Sequence, residues 1–194
     1  MIGNYIKAVA TAVSRSTAKL MKTGLTTSYR TGDDGDIEAG RNVSFTVLAE
    51  NNPFGNTNRF TDELGTQTYT KNIVIDWSTY DGSTVLGFRR TVTTTQTWNQ
   101  AIDGALLVNI APFTTGWRLP NVRELVNLAN FQSAFLLSYA PFGITTLFLW
   151  SSTTVSASST AAYAIQDGIY FITKASSYHY IPCRNFTVTG TTLS

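Results

Sequence analysis

Charge is what this chain has least of. Asp, Glu, Lys and Arg make up 13% of its 194 residues, about half the usual share, and the formal net charge is +2. No basic cluster is interleaved with aromatics, so neither nucleic acid nor an anionic membrane is an expected partner. Cysteine occurs once, at Cys183, which excludes an intrachain disulfide. Set between apolar neighbours at a strand-like position, it is expected to pack as a small hydrophobe. Histidine also occurs once, at His179, which excludes a His-ligated metal cluster and a paired-His mechanism. No apolar run approaches the length needed to span a bilayer. At the N-terminus Lys7, Thr11, Arg15 and Lys19 interrupt Ile6, Val9, Ala10, Val13 and Leu20, so no signal peptide is expected.

Ser and Thr are abundant, about a quarter of the chain, and with Tyr, Phe and Val they favour strands. Residues 1–22 are the exception. Ile6, Val9, Ala10, Val13, Thr17 and Leu20 recur at helical spacing, which predicts an amphipathic arm. Such an arm is too short to be stable alone; it packs either on its own domain or on a partner. Gly24 is placed to end it. Asp33, Asp34 and Asp36 invite a calcium reading, but the spacing fails the EF-hand rule, and a Gly/Asp turn is the better account. Phe60–Asp62 and Asn72–Trp77 read as strands. Asp81-Gly82 predicts a tight turn before Val85, Leu86 and Phe88. Thr97 caps an expected helix from Trp98 to about Val108, with Trp98, Ala101, Ile102, Ala105 and Leu106 inward. A second helix is expected to begin at Pro120 or Asn121 and to bury Leu125, Leu128 and Ala129. Arg118 is expected to anchor the preceding turn, with Glu124 a candidate partner. Strands follow at 147–153, 161–166, 168–174 and 178–185. The class this order predicts is α+β, two helices plus antiparallel sheets.

Several motifs occur in a fixed order. Gly116-Trp117-Arg118-Leu119-Pro120-Asn121 leads into Glu124-Leu125-Val126-Asn127-Leu128; Leu149-Trp150-Ser151-Ser152-Thr153 follows, then Tyr180-Ile181-Pro182-Cys183-Arg184. This order resembles the collagen-like-protein C-terminal domain family, which belongs with the C-type lectin-like folds. The resemblance implies such a domain over 23–188, an attachment or oligomerisation arm at 1–22 and a C-terminal tail at 189–194. It implies that Trp77 is buried, and that Ser151 and Ser152 belong to a core strand rather than serve as nucleophiles. Family members often place a partner cysteine seven residues after a helix tryptophan. Counting from Trp98 reaches Ala105 instead, which suggests maturation in a reducing compartment.

The same resemblance points to recognition rather than catalysis. Calcium-dependent lectins use Glu-Pro-Asn or Gln-Pro-Asp followed by Trp-Asn-Asp. Here the only Pro-Asn follows Leu119, and Trp-Asn-Asp does not occur. No catalytic residue, metal or cofactor is therefore expected. Scattered carboxylates, Asp62, Glu63, Asp76 and Asp81, leave an acid–base pair open, because sequence alone does not place them. Tyr and Ser recur in binding loops, where Tyr gives rigid contact at small entropic cost. Related phage receptor-binding domains carry ligand residues in their last strands, which makes Tyr163, Tyr178 and His179 the candidate ligand-binding residues. Alternation puts Tyr178 and Tyr180 on one face and His179 with Ile181 on the other. An adhesin-like domain without signal or disulfide suggests a bacteriophage virion protein made in the host cytoplasm: a tail fibre, spike or head-fibre component. Its expected partners are other virion proteins through the helical arm, a host surface glycan or protein, and copies of itself, as a trimer. The alternative is a structural capsid or tail decoration subunit with no receptor. The sequons Asn42-Val43-Ser44 and Asn185-Phe186-Thr187 carry no weight without a secretory signal.

Overall fold

The computed structural model describes residues 31, 52–55, 58–128, 141–142, 144, 147–155, 158 and 160–194. The expected arm at 1–22, the Asp33, Asp34 and Asp36 cluster and Ala129 lie outside the described residues. The described residues form a mixed α+β fold built from two antiparallel sheets and few helices. One sheet has five strands in the order β1-β2-β3-β7-β8: β1 (Phe60–Thr61), β2 (Ile73–Asp76), β3 (Thr84–Arg89), β7 (Cys183–Thr189) and β8 (Thr192–Leu193). The other has three, β4 (Leu149–Thr154), β5 (Ala161–Ile165) and β6 (Ile169–Thr173), in sequence order. Between β3 and β4 come α1 (Trp98–Leu106) and α2 (Val122–Asn127).

The β2–β3 hairpin is set by its turn. The Asp81 carboxylate accepts bonds from the N–H and hydroxyl groups of both Ser83 and Thr84, and Gly82 takes a φ of 102° that disfavours other residues. Pairing then runs from Ile73↔Arg89 to Asp76↔Leu86. All four β2 residues are buried. Gly87 lies where a Cβ would meet the Phe186 ring at 2.6 Å and Ile75 at 2.8 Å; β3 and β7 side chains interlock over it.

Sequence pattern missed the strongest polar feature of this sheet. Arg59 and Asp76, 1% and 0% exposed, form a two-bonded ion pair at 2.9 Å for each bond. Arg59 also donates to the Asn127 carbonyl at 2.7 Å, tying α2 to the sheet. Asp76 further accepts from the Ser78 N–H and the Asn127 amide. Every buried lone pair is in use, which is what makes an interior charge tolerable.

Thr97 precedes α1, and the Gln100 side chain accepts from its N–H and hydroxyl. The buried stripe is Ala101 and Ala105, with Trp98 and Ile102 half-covered. Leu106, expected inward, is 61% exposed: the helix turns its alanines squarely to Trp150 and Tyr180, which carries position 106 off the packed face. The second helix begins at Val122 rather than at Pro120 or Asn121. Asn121 is its cap, accepting the Glu124 N–H at 2.9 Å while Glu124 accepts the Asn121 N–H at 2.8 Å.

Two expectations near the C-terminus are corrected. Residues 178–182 are not regular strand; Tyr178 and His179 make isolated bridges to Gln96 and Leu149, and the strand begins at Cys183. The chain crosses from one sheet to the other there, so no single ladder holds it. Residues 189–194 are not a free tail. Thr189 closes β7, and Thr192–Leu193 fold back on Val188 and Thr189 with Leu193 buried. Trp77, Trp117 and Trp150 are all buried, the first two in one core cluster and Trp150 in another. Truncating such a side chain to alanine costs about 3–5 kcal/mol.

Candidate recognition surface

The motif around Trp117 builds the frame of the site. Gly116 has a φ of 81°, a left-handed position that suits glycine. Trp117 then enters the core and donates its indole N–H to the Phe113 carbonyl. Arg118 exchanges two backbone bonds with Cys183, each 2.9 Å. Its guanidinium grips the Glu124 carboxylate through two bonds of 2.7 and 2.6 Å, and that pairing raises the Arg118 pKa. Ser152 donates its N–H to the Pro120 carbonyl at 2.8 Å, so the turn before α2 is stitched to β4. Cys183 is buried, and desolvation pushes its thiol up to about 12.

On this frame β5 and β6 form a hairpin with two different faces. Ala162, Ala164 and Ile172 turn inward to the α1 side, where Trp150 packs. Tyr163 lies directly across from Phe171, ring centroids 5.9 Å apart and edge to face, on the other face. Ile169 and Phe171 share that face and are 52% and 72% exposed. Tyr170 points to the opposite side, its hydroxyl donating to Asp167 Oδ1, which raises its pKa. Three of the six exposed large apolar side chains among the described residues, Ile169, Tyr170 and Phe171, lie on β6; the others are Leu64, Leu106 and Leu107.

The three candidate ligand residues are not brought together. Tyr163 belongs to the outer face just described. Tyr178 sits on the inner side, its ring 5.0 Å from Phe148 and 5.3 Å from Trp150, and Phe148 in turn meets Tyr170 at 5.2 Å. His179 lies at the seam between the sheets. Its N–H donates to the Phe148 carbonyl, its carbonyl accepts from Trp150 N–H, and its ring Nδ1 bonds the Thr93 carbonyl. A carbonyl only accepts, so Nδ1 carries the proton. Tyr180 joins Tyr178 beside α1 while Ile181 enters the other core cluster, as alternation requires.

Of the polar groups that suggested chemistry, all but Glu63 are occupied by hydrogen bonds. Ser151 is buried and its hydroxyl donates to the Tyr163 carbonyl. Asp62 accepts from the N–H groups of Leu64 and Thr66 and from the Thr66 hydroxyl. Asp76 and Asp81 are engaged as described above. Glu63 keeps one oxygen buried without a partner, and burial raises its pKa. Among the described residues no group of three or more His, Cys, Asp or Glu gathers as a metal site.

Compared with known protein families and with curated proteins, the chain matches none. Besides the β5–β6 face, the described residues form a cleft of about 490 Å³, lined by Asn72, Arg89, Thr91, Leu107, Asn109 and Ile110. It lies at the far end of α1, against the β2–β3 hairpin. Sequence reasoning singled out neither this cleft nor Phe171. The signal for Phe171 was an uncharged apolar run, Ile169 to Ile172, closed on one side by the Asp167-Gly168 turn.

Proposed function

We propose that this protein is a bacteriophage virion component, from a tail fibre, spike or head fibre, whose C-type lectin-like domain recognises a host-surface glycan or protein. The observation that carries the reading is the outer face of β5 and β6. Ile169 and Phe171 stand exposed on this hairpin beside the half-buried Tyr163, without a charge among them. Rigid aromatic contact surface costs little entropy on binding, and apolar side chains left in water on a folded sheet mark an interaction site. The arrangement of two helices between a hairpin and a three-stranded sheet, with the last long strand returning beside β3, supports the lectin-like assignment. So does the use each motif residue finds: Trp117 and Trp150 in the core, Arg118 on Glu124, Cys183 on Arg118.

Recognition on this reading needs no calcium. Asn121, the residue after Pro120, spends its side-chain oxygen on the Glu124 N–H, and both Glu124 oxygens accept from Arg118. The decoration-subunit reading draws on the same apolar face, which suits a neighbouring virion protein equally well. Binding of the full chain to a panel of bacterial polysaccharides and whole cells, with and without chelator, separates them. Saturable binding that survives chelation and falls at least tenfold in Tyr163→Ala supports receptor recognition. No binding by a folded chain shifts the assignment to decoration, and loss with chelator refutes calcium independence.

A further inference from the structure

We propose that β6 is a pairing edge that joins two copies of this chain antiparallel into one continuous six-stranded sheet. In the β5–β6 ladder the Lys174 N–H donates to Thr160 at 2.8 Å and the Gln166 N–H to Gly168 at 3.1 Å. Even-numbered residues of β6 therefore bond inward, to β5. Ile169 and Phe171 direct their N–H and C=O outward, where no described residue meets them. Sheet edges are ordinarily blunted by lysine, proline or a bulge. From Gly168 to Thr173 the chain has no charge, no proline and an unbroken register with β5.

Self-complementarity selects the occupant. A two-fold axis at Phe171 sets Phe171 against Phe171 of the second copy, and Ile169 against Thr173. Residues facing each other in this register project to the same side, so the Tyr163–Phe171 pair extends into a row of four aromatic rings across four strands. On the reverse side Tyr170 meets Ile172. The two charges that flank the strand have opposite sign, Asp167 before it, accepting from the Tyr170 hydroxyl, and Lys174 after it, its ammonium over the Trp98 ring. Antiparallel pairing brings the acidic end of one strand to the basic end of the other, and a parallel arrangement would set like beside like. A two-fold contact of this kind is closed and repeats no further. It replaces the expected three-fold association with a pairwise one. The pairing does not depend on what the outer face binds, so its failure and the failure of receptor recognition are read separately.

Sedimentation of the full chain over a dilution series tests it, with Phe171→Pro and Ile169→Lys as variants. Proline at 171 removes only an outward N–H, and lysine at 169 restores the missing edge charge. The expected result is a twofold fall in mass in both variants with unchanged circular dichroism, and concentration-dependent exchange protection of the Phe171 amide in the wild type. Should Phe171→Pro fail to fold, Ile169→Lys decides alone. A wild-type chain that is monomeric throughout, or an assembly of any order whose mass Ile169→Lys leaves intact, overturns the proposal.

Discussion

The two sheets are made from similar residues and solve opposite problems. In the five-stranded sheet β2 is buried along its whole length, an ion pair is sealed beneath it, and the glycine of β3 leaves room for the Phe186 ring. In the three-stranded sheet β4 is buried at its start, β5 has no exposed residue, and nearly all of β6 is exposed. Burial drops at the edge strand. Stability is concentrated in the sheet that holds both long-range ends of the fold, and the surface free to interact is carried by the sheet whose last strand adds least to the core.

Substitutions that reverse this ranking would break the comparison. The largest effect is expected from Asp76→Ala, which strands the Arg59 guanidinium in the interior. Removing one member of a buried pair costs about 3–5 kcal/mol, and a urea titration should show the midpoint falling accordingly or the chain failing to fold. Gly87→Ala comes next. Its Cβ would stand 2.6 Å from the Phe186 ring, an overpacking expected to cost about 1–3 kcal/mol despite the better strand propensity of alanine. Phe171→Ser removes a larger side chain from the other sheet, yet at high dilution it should leave stability within about 0.5 kcal/mol. A thermal melt that moves more for Phe171→Ser than for Gly87→Ala would invert the picture.

The smallest expected effect is pH-dependent. The Asp81 carboxylate is held below its ordinary value, chiefly by the Thr84 and Ser83 N–H groups. A depressed folded pKa contributes stability that is present above the unfolded value of 3.8 and is lost as pH falls through the folded one. The wild-type melting temperature should therefore drop more than that of Asp81→Asn as pH is lowered below about 4. Equal slopes for the two proteins would mean that the turn does not depend on the charge.

Features legible in sequence were those fixed within a few residues. Asp81-Gly82 and the Arg118–Glu124 pairing each arise over a span short enough for chain geometry to dictate, whereas the helix start, expected at Pro120 or Asn121, is moved to Val122 by the Asn121–Glu124 cap. Burial of Trp77 was expected from the resemblance rather than from periodicity, and its indole, in a helical turn just past the end of β2, is buried. Arg59–Asp76 was not, since it depends on β1 lying against β2 in a given register. Tyr163 and Tyr178 could not be assigned to opposite sides of one sheet either, because the irregularity in β4 after Trp150 and the crossing at 178–182 interrupt simple alternation. The short β8 escaped because two residues carry no periodicity.

The pairing of β3 with β7 has a consequence for how this protein is made. Residue 88 meets residue 183 and residue 84 meets residue 187, so the central strand of the larger sheet waits for a neighbour synthesised much later. Until then the β2–β3 hairpin leaves the ribosome with one open flank and an unfilled slot over Gly87. Contacts this distant in sequence are slow to form, and an open flank in the meantime invites association with other nascent chains. Loss of Cys183–Thr189 would make that interval permanent. Yield in the cell should accordingly be set by the integrity of β7 more than by any site that meets a ligand.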